Sequence, residues 1–478
     1  LRDGDGLALA AAIRDGRTTA IAAMEAALER AEAVDDLNAL HLLAAERGRK
    51  AAAAVDAGLK RRPRYWRLKP FAGVPFLMKD LGANAAGFPI HAGLAALVAR
   101  ALPGPGEAEL ATRFRERAGL VAFGTTKVPE LAISIDSGPG IGPAARNPLD
   151  PSLTPGGSSA GAAVAVAAGI VAVAHATDAY GSIRVPAACC GLVGLKPTRG
   201  AVPGGPGFGN HLNGIAGELI VSRSLRDTTA MLDAVGGAAE GPYPDPDLDG
   251  PMLDALDTAV ESLRIGIVEP GPEDASRRAA VDAAGEVLTR AGHRLVPLRV
   301  EPLAAIERDS VTVLDRILSA NMARFLRDLG PFRPGELSAI SLAMGARGAA
   351  LSAADLQDAD VLMARVAHTL WRLFDDVDVL LLPMLATAPP KLGFLPLDHD
   401  DVDLHWRRMA EFSPYAALAN VGGVPALTLP FGRDGEGLPL PVQLVGPMAS
   451  DGLLLRLGRL LEVAQPFRHA APVAGLPA

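Results

Sequence analysis

Residues 154–186 read TPGGSSAGAAVAVAAGIVAVAHATDAYGSIRVP. A Gly/Ser-rich turn opens into an apolar run, Gly161 to Ala174, and the next acidic side chain is Asp178. That run falls short of the roughly 18–20 apolar residues needed to span a bilayer. It reads as a buried helix passing into a buried strand, a building unit of an α/β fold. His175, Asp178 and Ser182 follow within eight positions, and the adjacent Cys189 and Cys190 come soon after.

The same texture extends in both directions. Residues 5–60 are Ala-rich with helical spacing, broken at Asp15-Gly16 and restarted at Thr18-Thr19, where a hydroxyl can cap a new helix. From Phe71 onward, FAGVPFLMKDL (71–81) and AGLVAFGTTKVPEL (118–131) are short apolar runs divided by Gly and Pro, as expected of strands with functional loops at their ends. Turn formers crowd 236–252. LRIGIV (263–268) is a strand candidate, helical patterns continue to about Asp375, and VDVLLLPM (377–384) reads as a buried strand. ALANVGGVPALTLPFG (417–432) and LPLPVQLVG (438–446) look like a pair of core strands, closed by a helix over 451–463.

Composition narrows the function classes. The chain has 478 residues, 49% of them hydrophobic and only 4% aromatic, with 52 glycines. This favours an Ala/Val/Leu core with closely approaching backbones over a disordered chain. A net charge of −8 with no block of like charge argues against a nucleic-acid or anionic-membrane surface. Two neighbouring cysteines cannot staple distant segments, which fits a reducing cytoplasm, and they read as small buried hydrophobes. The nine histidines show no metal-ligand spacing, so no metal is expected. The first residue is Leu1 rather than Met, as in a trimmed chain.

Three places carry chemistry. In FLMKD (76–80), Lys79 follows Val74, Phe76, Leu77 and Met78. Apolar surroundings would lower its pKa and make a neutral amine available as a base; the plainer alternative is a snorkelling lysine or a partner of Asp80. In a chain that writes most of its cations as Arg, the choice of Lys favours the base, because Arg cannot be deprotonated. TPGGSSAG (154–161) is either a capped Gly/Ser turn or a loop facing negative charge at a helix start; a Walker A loop is excluded because no Gly-Lys-Ser/Thr follows. In HATDAYGS, a triad of His175, Asp178 and Ser182 fails on geometry, since the three lie along one strand and its turn. His175 reads as a strand residue with a satisfied hydrogen bond, and Asp178 as the bidentate partner of Arg184. Ser182 follows Gly181 in a tight loop whose backbone N–H groups could form an anion nest, as acyl transfer requires.

Taken in order, GVPFLMKDL, TPGGSSAG and TDAYGSIRVPAACCGLVGLKPT resemble the amidase signature family of serine hydrolases. FGTTKVPEL (123–131), RNP (146–148) and the 412–446 region extend the resemblance over essentially the whole chain. It implies an α/β/α sandwich around a central twisted mixed sheet, in a single domain over 1–478. Within it, 1–65 would be a helical layer, 66–235 the signature core, 236–410 a variable pocket region and 411–478 the closing strands and helix. It also implies Ser182 as nucleophile, Ser158 after a cis peptide bond as the bridge, and Lys79 as base. Backbone N–H groups of Ala179, Tyr180, Gly181 and Ser182 would form an oxyanion hole, with Asp178, Arg184, Gly156 and Gly157 as structural support. The implied activity is hydrolysis of small linear, cyclic or aryl amides, with carbamates and esters open to the same acyl-enzyme route and no cofactor. A flavour closest to hydrolases of nylon-type cyclic amide oligomers follows from His175 and the run after Lys196. The alternatives are a glutamine amidase subunit of a tRNA-dependent amidotransferase and a catalytically inactive binding protein.

One departure stands out. The family's Asp-Thr-Gly-Gly-Ser is Asp178-Ala179-Tyr180-Gly181-Ser182 here. The Tyr180 side chain is expected to face the substrate pocket, with Phe208, Asn210, His211 and Met384 as further candidates for the wall. The expected partner is a small-molecule amide, with no nucleic acid and no membrane; a homodimer is compatible with the sequence.

Overall fold

The computed structural model describes residues 4–100, 106–138, 140–204, 211–237, 244–269, 271 and 273–477. Among them, eleven strands form one mixed sheet. They are β1 (Leu40–Leu43), β2 (Pro75–Lys79), β3 (Val121–Thr126), β4 (Val173–Asp178), β5 (Val193–Lys196), β6 (Gly217–Ser222), β7 (Arg264–Val268), β8 (Arg294–Leu298), β9 (Val379–Pro383), β10 (Ala426–Arg433) and β11 (Pro439–Val445). Their order across the sheet is β1-β3-β2-β4-β6-β5-β10-β11-β9-β7-β8. β2 runs parallel to β3 and β4, and β7 parallel to β8 and β9. The other pairings are antiparallel.

The apolar run that opened the sequence is folded as its composition requires. Helix Ala160–Ala167 is buried at every residue, so it has no polar face to offer water. It packs on β2, β3, β4 and β6, and the chain then turns at Gly169 and enters β4, also buried throughout. Further helices cover the sheet toward its other edge, Ala275–Arg290 on β8, β9 and β11 and Asp451–Ala464 on β10. The result is an α/β fold, a mixed sheet covered by helices. No helix among the described residues is long and apolar enough to cross a membrane.

The N-terminal helices start where hydroxyl and carboxylate caps stand. Asp5 accepts from Ala8 N and Thr19 from Ala22 N. The expected helical layer over 1–65 also contains a strand that the sequence reading did not foresee, since residues 40–43 form β1 and pair with β3 at the sheet edge. Four residues of Leu-His-Leu-Leu are too short for periodicity to separate strand from helix. Likewise, Ala417–Gly422 is a short helix ended by Gly423 at φ +76°, and only the segment after it becomes β10.

Glycine sets the spacing between helix Ala160–Ala167 and the neighbouring backbone at Ala39 and Lys127. A Cβ on Gly161 would lie 2.2 Å from the Ala39 carbonyl oxygen and 2.4 Å from Lys127 N. Gly161→Ala should therefore destabilise the protein by about 2 kcal/mol or more, because backbone cannot move aside as a side chain can. This outcome opposes the gain of about 1 kcal/mol that Ala brings in an open helix. Chemical denaturation midpoints decide between the two.

Candidate active site

Lys79 ends β2, with the parallel strands β3 and β4 on either side. Its side chain is only 1% exposed. Nζ lies 2.8 Å from Ser158 Oγ and 2.7 Å from Thr177 Oγ1, and the backbone N–H donates to His175 Nδ1. Burial drives the Lys79 pKa down to about 7, against the opposing pull of Asp178 and Glu218. A neutral amine held against two hydroxyls can accept a proton from one while donating to the other.

Ser158 follows a cis peptide bond from Gly157. Both preceding glycines are required by close approach. Gly156 takes φ +73°, and a Cβ on Gly157 would lie 2.3 Å from the Asp136 carbonyl oxygen. The Asp136 carboxylate accepts from Thr154 Oγ1 at 2.7 Å and Gly393 N at 2.8 Å, fastening this loop from two directions.

The turn after β4 is organised by the Asp178 carboxylate. Arg184 donates Nε to Oδ2 at 2.9 Å and Nη2 to Oδ1 at 3.0 Å, both residues being fully buried. Gly181, Ile183 and Arg184 backbone N–H groups and Asn420 Nδ2 donate to the same carboxylate. Burial alone would raise the Asp178 pKa; the Arg184 charge and hydrogen bonds, the Asn420 amide and the Lys196 charge bring it down to about 2. This geometry corrects one expectation. The Gly181 N–H is taken by Asp178 Oδ1 at 2.6 Å, so it is not free for an oxyanion. The N–H groups of Ala179, Tyr180 and Ser182 have no such partner among the described residues.

Tyr180 fits its position without strain. The left-handed φ of the turn, +81°, falls on Gly181, and Tyr180 is not among the residues with positive φ. Its ring lies 5.9 Å from that of Trp406, and both line a cavity of about 470 Å³. Ser158, Thr177, Ala179 and Ser182 face the same cavity. Another part of the wall is mostly apolar, with Leu318, Met322 and Phe325 from helix Val300–Leu329, Met344, and Trp406 and Met409 from helix Val402–Phe412, while Asn321 and Arg324 of the first helix are its polar members. Met384 does not line this cavity; its Cε packs behind Gly181. Phe208 and Asn210 lie outside the described residues, as does the His211 side chain.

A second cavity of similar volume is lined by Tyr65, Trp66, Lys69 and Phe114. There the Lys69 ammonium sits over both Tyr65 and Trp66 rings, and no serine faces it. Ser158 and Ser182 line the first cavity, and Lys79 lies behind it in contact with Ser158.

Sequence reading missed Thr177, Glu218 and Asn420. The two-residue period of β4 puts Thr177 on the same face as His175, a cue available from the sequence once the strand is recognised. Glu218 and Asn420 arrive from elements far away in the chain and carried no local signal.

A model of the family described as Amidase matches residues 22–455 of the chain. The chain belongs to the amidase family. Membership makes it an amidohydrolase. A Mycobacterium tuberculosis protein described as an amidase, AmiC, is 35% identical over 99% of this chain and 98% of its own length. The 6-aminohexanoate-cyclic-dimer hydrolase of Paenarthrobacter ureafaciens is 30% identical over 98% of this chain and 96% of its own length. A solved 6-aminohexanoate cyclic dimer hydrolase superposes with a TM-score of 0.89 at 29% identity, covering 98% of each chain. The peptide amidase of Stenotrophomonas maltophilia superposes at 0.79 and 27%, covering 99% of each.

Among the described residues of this amidase, one grouping has metal-ligand donor types: His41, Asp80 and His91. The two imidazoles are hydrogen-bonded to each other, His41 Nε2 to His91 Nδ1 at 2.7 Å. Two nitrogens on one tetrahedral zinc stand about 3.3 Å apart, given bonds of about 2.0–2.1 Å. The Asp80 oxygens accept from His91 N and Gly93 N. The imidazoles thus partner each other, and the Asp80 carboxylate is held by backbone N–H groups. Close sequence spacing could not reveal the grouping, because it joins β1 to the loop after β2.

The lowered Lys79 pKa also ties stability to pH. Between about 7 and the ordinary lysine value of 10.5, the unfolded chain holds a proton that folded Lys79 has released. Stability from this group therefore rises with pH across that window and is lost as pH falls through about 7. Denaturant unfolding of the wild type and Lys79→Met at several pH values should show the difference, wild type minus variant, growing from pH 7 to pH 10.

Proposed function

We propose that the chain hydrolyses small uncharged amides, with Ser182 as nucleophile, Ser158 as proton bridge and Lys79 as base. The observation that carries this reading is the 2.8 Å contact between a fully buried lysine amine and the Ser158 hydroxyl, opening on a cavity that Ser182 also lines. Ser182 Oγ attacks the amide carbonyl while its proton passes through Ser158 to Lys79. The tetrahedral oxyanion takes hydrogen bonds from the free N–H groups of the 179–182 turn. The C–N bond then breaks as Ser158 returns a proton to the departing amine, and water cleaves the acyl-enzyme by the same relay.

Thr177 accepts from Lys79 Nζ and so aims the lone pair of the amine toward Ser158. The cavity wall supports substrates with alkyl or aryl bodies, since Leu, Met, Phe and Trp side chains dominate it, with Asn321 and Arg324 among its polar members. Cyclic amides of the aminohexanoate type, aryl amides, carbamates and esters are the classes to which this reading extends. A glutamine substrate fits less well. Its charged ammonium and carboxylate call for two opposite charges, and the lining offers Arg324 but no carboxylate among the described residues. An inactive binding protein would have no use for a buried lysine amine kept near neutrality. The two buried cysteines, neither in a disulfide, support a cytoplasmic setting.

Ser182→Ala should lower turnover of an aryl amide by about 10⁴-fold or more, as loss of a nucleophile does in other serine hydrolases. A steady-state assay on a panel of aryl amides, cyclic amides, carbamates and esters measures it. Activity that survives in Ser182→Ala, or that disappears with a chelator, would exclude the serine relay.

A further inference from the structure

Behind Lys79 stands a second line of buried polar groups that the relay does not touch. His175 Nδ1 accepts the Lys79 backbone N–H at 3.2 Å. His175 Nε2 lies 3.0 Å from Glu218 Oε2, and that oxygen also accepts from Ala83 N at 2.7 Å. His175 and Glu218 are on the adjacent strands β4 and β6, where Glu218 is paired directly opposite Thr177. His175 and Glu218 are 0% and 1% exposed.

Hydrogen-bond direction fixes the imidazole. Because Nδ1 accepts, the ring proton is on Nε2 and is donated to the carboxylate. The Phe114 ring meets the imidazole edge-on at 5.7 Å. Gly82 leaves room for the acid, since a Cβ there would come within 2.4 Å of Glu218 Oε2. A buried carboxylate is costly to retain unless something is gained from it.

We propose that Glu218 and His175 are positioning residues for Lys79. His175 fixes the backbone at the end of β2 so that Nζ reaches Ser158 and Thr177 together, and Glu218 holds that imidazole from behind while adding a negative charge that favours the protonated amine. This inference rests on the serine relay proposed above.

The other groups around Lys79 are accounted for. Asp178 keeps its charge through Arg184. Asp80 follows just after the end of β2, its carboxyl pushed up to about 6 by burial despite backbone hydrogen bonds, with His41 and His91 beyond it. β3 brings Thr125 and Thr126 alongside. The buried face of helix Ala20–Ala33, which packs on β2, carries only Ala, Met and Leu.

The test reads the relay without substrate, as the pH dependence of inactivation by an aryl sulfonyl fluoride. In that reaction the Ser182 oxygen–sulfur bond forms, fluoride leaves with the sulfur–fluorine electrons, and the serine proton passes to Lys79. In Glu218→Gln the ammonium loses an attractive charge, so the acid limb should move to lower pH by about one unit. The plateau should fall several-fold, because a weaker base accepts the proton less readily.

His175→Ala leaves the Lys79 N–H without an acceptor and should lower the plateau about 10-fold. His175→Asn, whose amide oxygen can take that N–H, should restore most of the loss. A folded Glu218→Gln protein with an unmoved limb overturns the proposal. So does a limb that shifts in Asp80→Asn instead, or a His175→Asn protein no faster than His175→Ala. If Glu218→Gln does not fold, the two His175 variants decide. The underlying relay fails separately, when Lys79→Met is labelled at the wild-type rate.

Discussion

The architecture around the cavity depends on one buried carboxylate. Asp178 has no exposure to water, and a charge in that position survives only if it is paired and hydrogen-bonded. Arg184 supplies the charge, the backbone of residues 181–184 supplies N–H groups, and Asn420 supplies an amide. These demands leave the turn a single geometry, and Ser182 lies inside it. Arg184 in turn reaches Gln443 on β11 and the carbonyl of Ala416. The first half of the chain provides the turn and the last quarter holds it closed.

Lys79 is buried under the opposite rule. Its amine meets hydroxyls and not a carboxylate, and loses its proton affinity instead of finding a counter-ion. Two adjacent strands thus hold an acid that stays charged and a base brought toward neutrality. Environments that push the pKa values of neighbouring groups apart in this way are how one fold obtains acid–base chemistry at ordinary pH. Parallel pairing of β2 and β4 brings the ends of both strands to the same edge, where the loops bearing Ser158 and Ser182 meet.

Much of this was legible locally. The helix-to-strand passage over 160–178 is announced by the unbroken apolar run from Gly161 to Ala174, and the Asp178–Arg184 pair spans a single turn. What escaped the sequence depends on distant partners. β1 needs β3 beside it to be a strand at all, and Leu-His-Leu-Leu says nothing of that. The 179–182 turn looks like four equivalent N–H donors until the Asp178 carboxylate claims the one on Gly181. The apolar wall is assembled from residues 318–409, where each Met or Leu is an ordinary core side chain until the fold turns it toward a serine. The His41, Asp80 and His91 grouping shows the same limit, since its members come from separate elements.

Helix Val300–Leu329 serves two masters. Toward its C-terminal end it forms the cavity wall through Leu318, Met322 and Phe325. Three turns earlier, Glu307 accepts the backbone N–H groups of Ala417 and Leu418, and the helix so capped carries Asn420 to Asp178. Wall and turn are therefore parts of one rigid lever. An evolving lineage can exchange the side chains on that lever to admit a new molecule, but it cannot re-pitch the lever without loosening the turn.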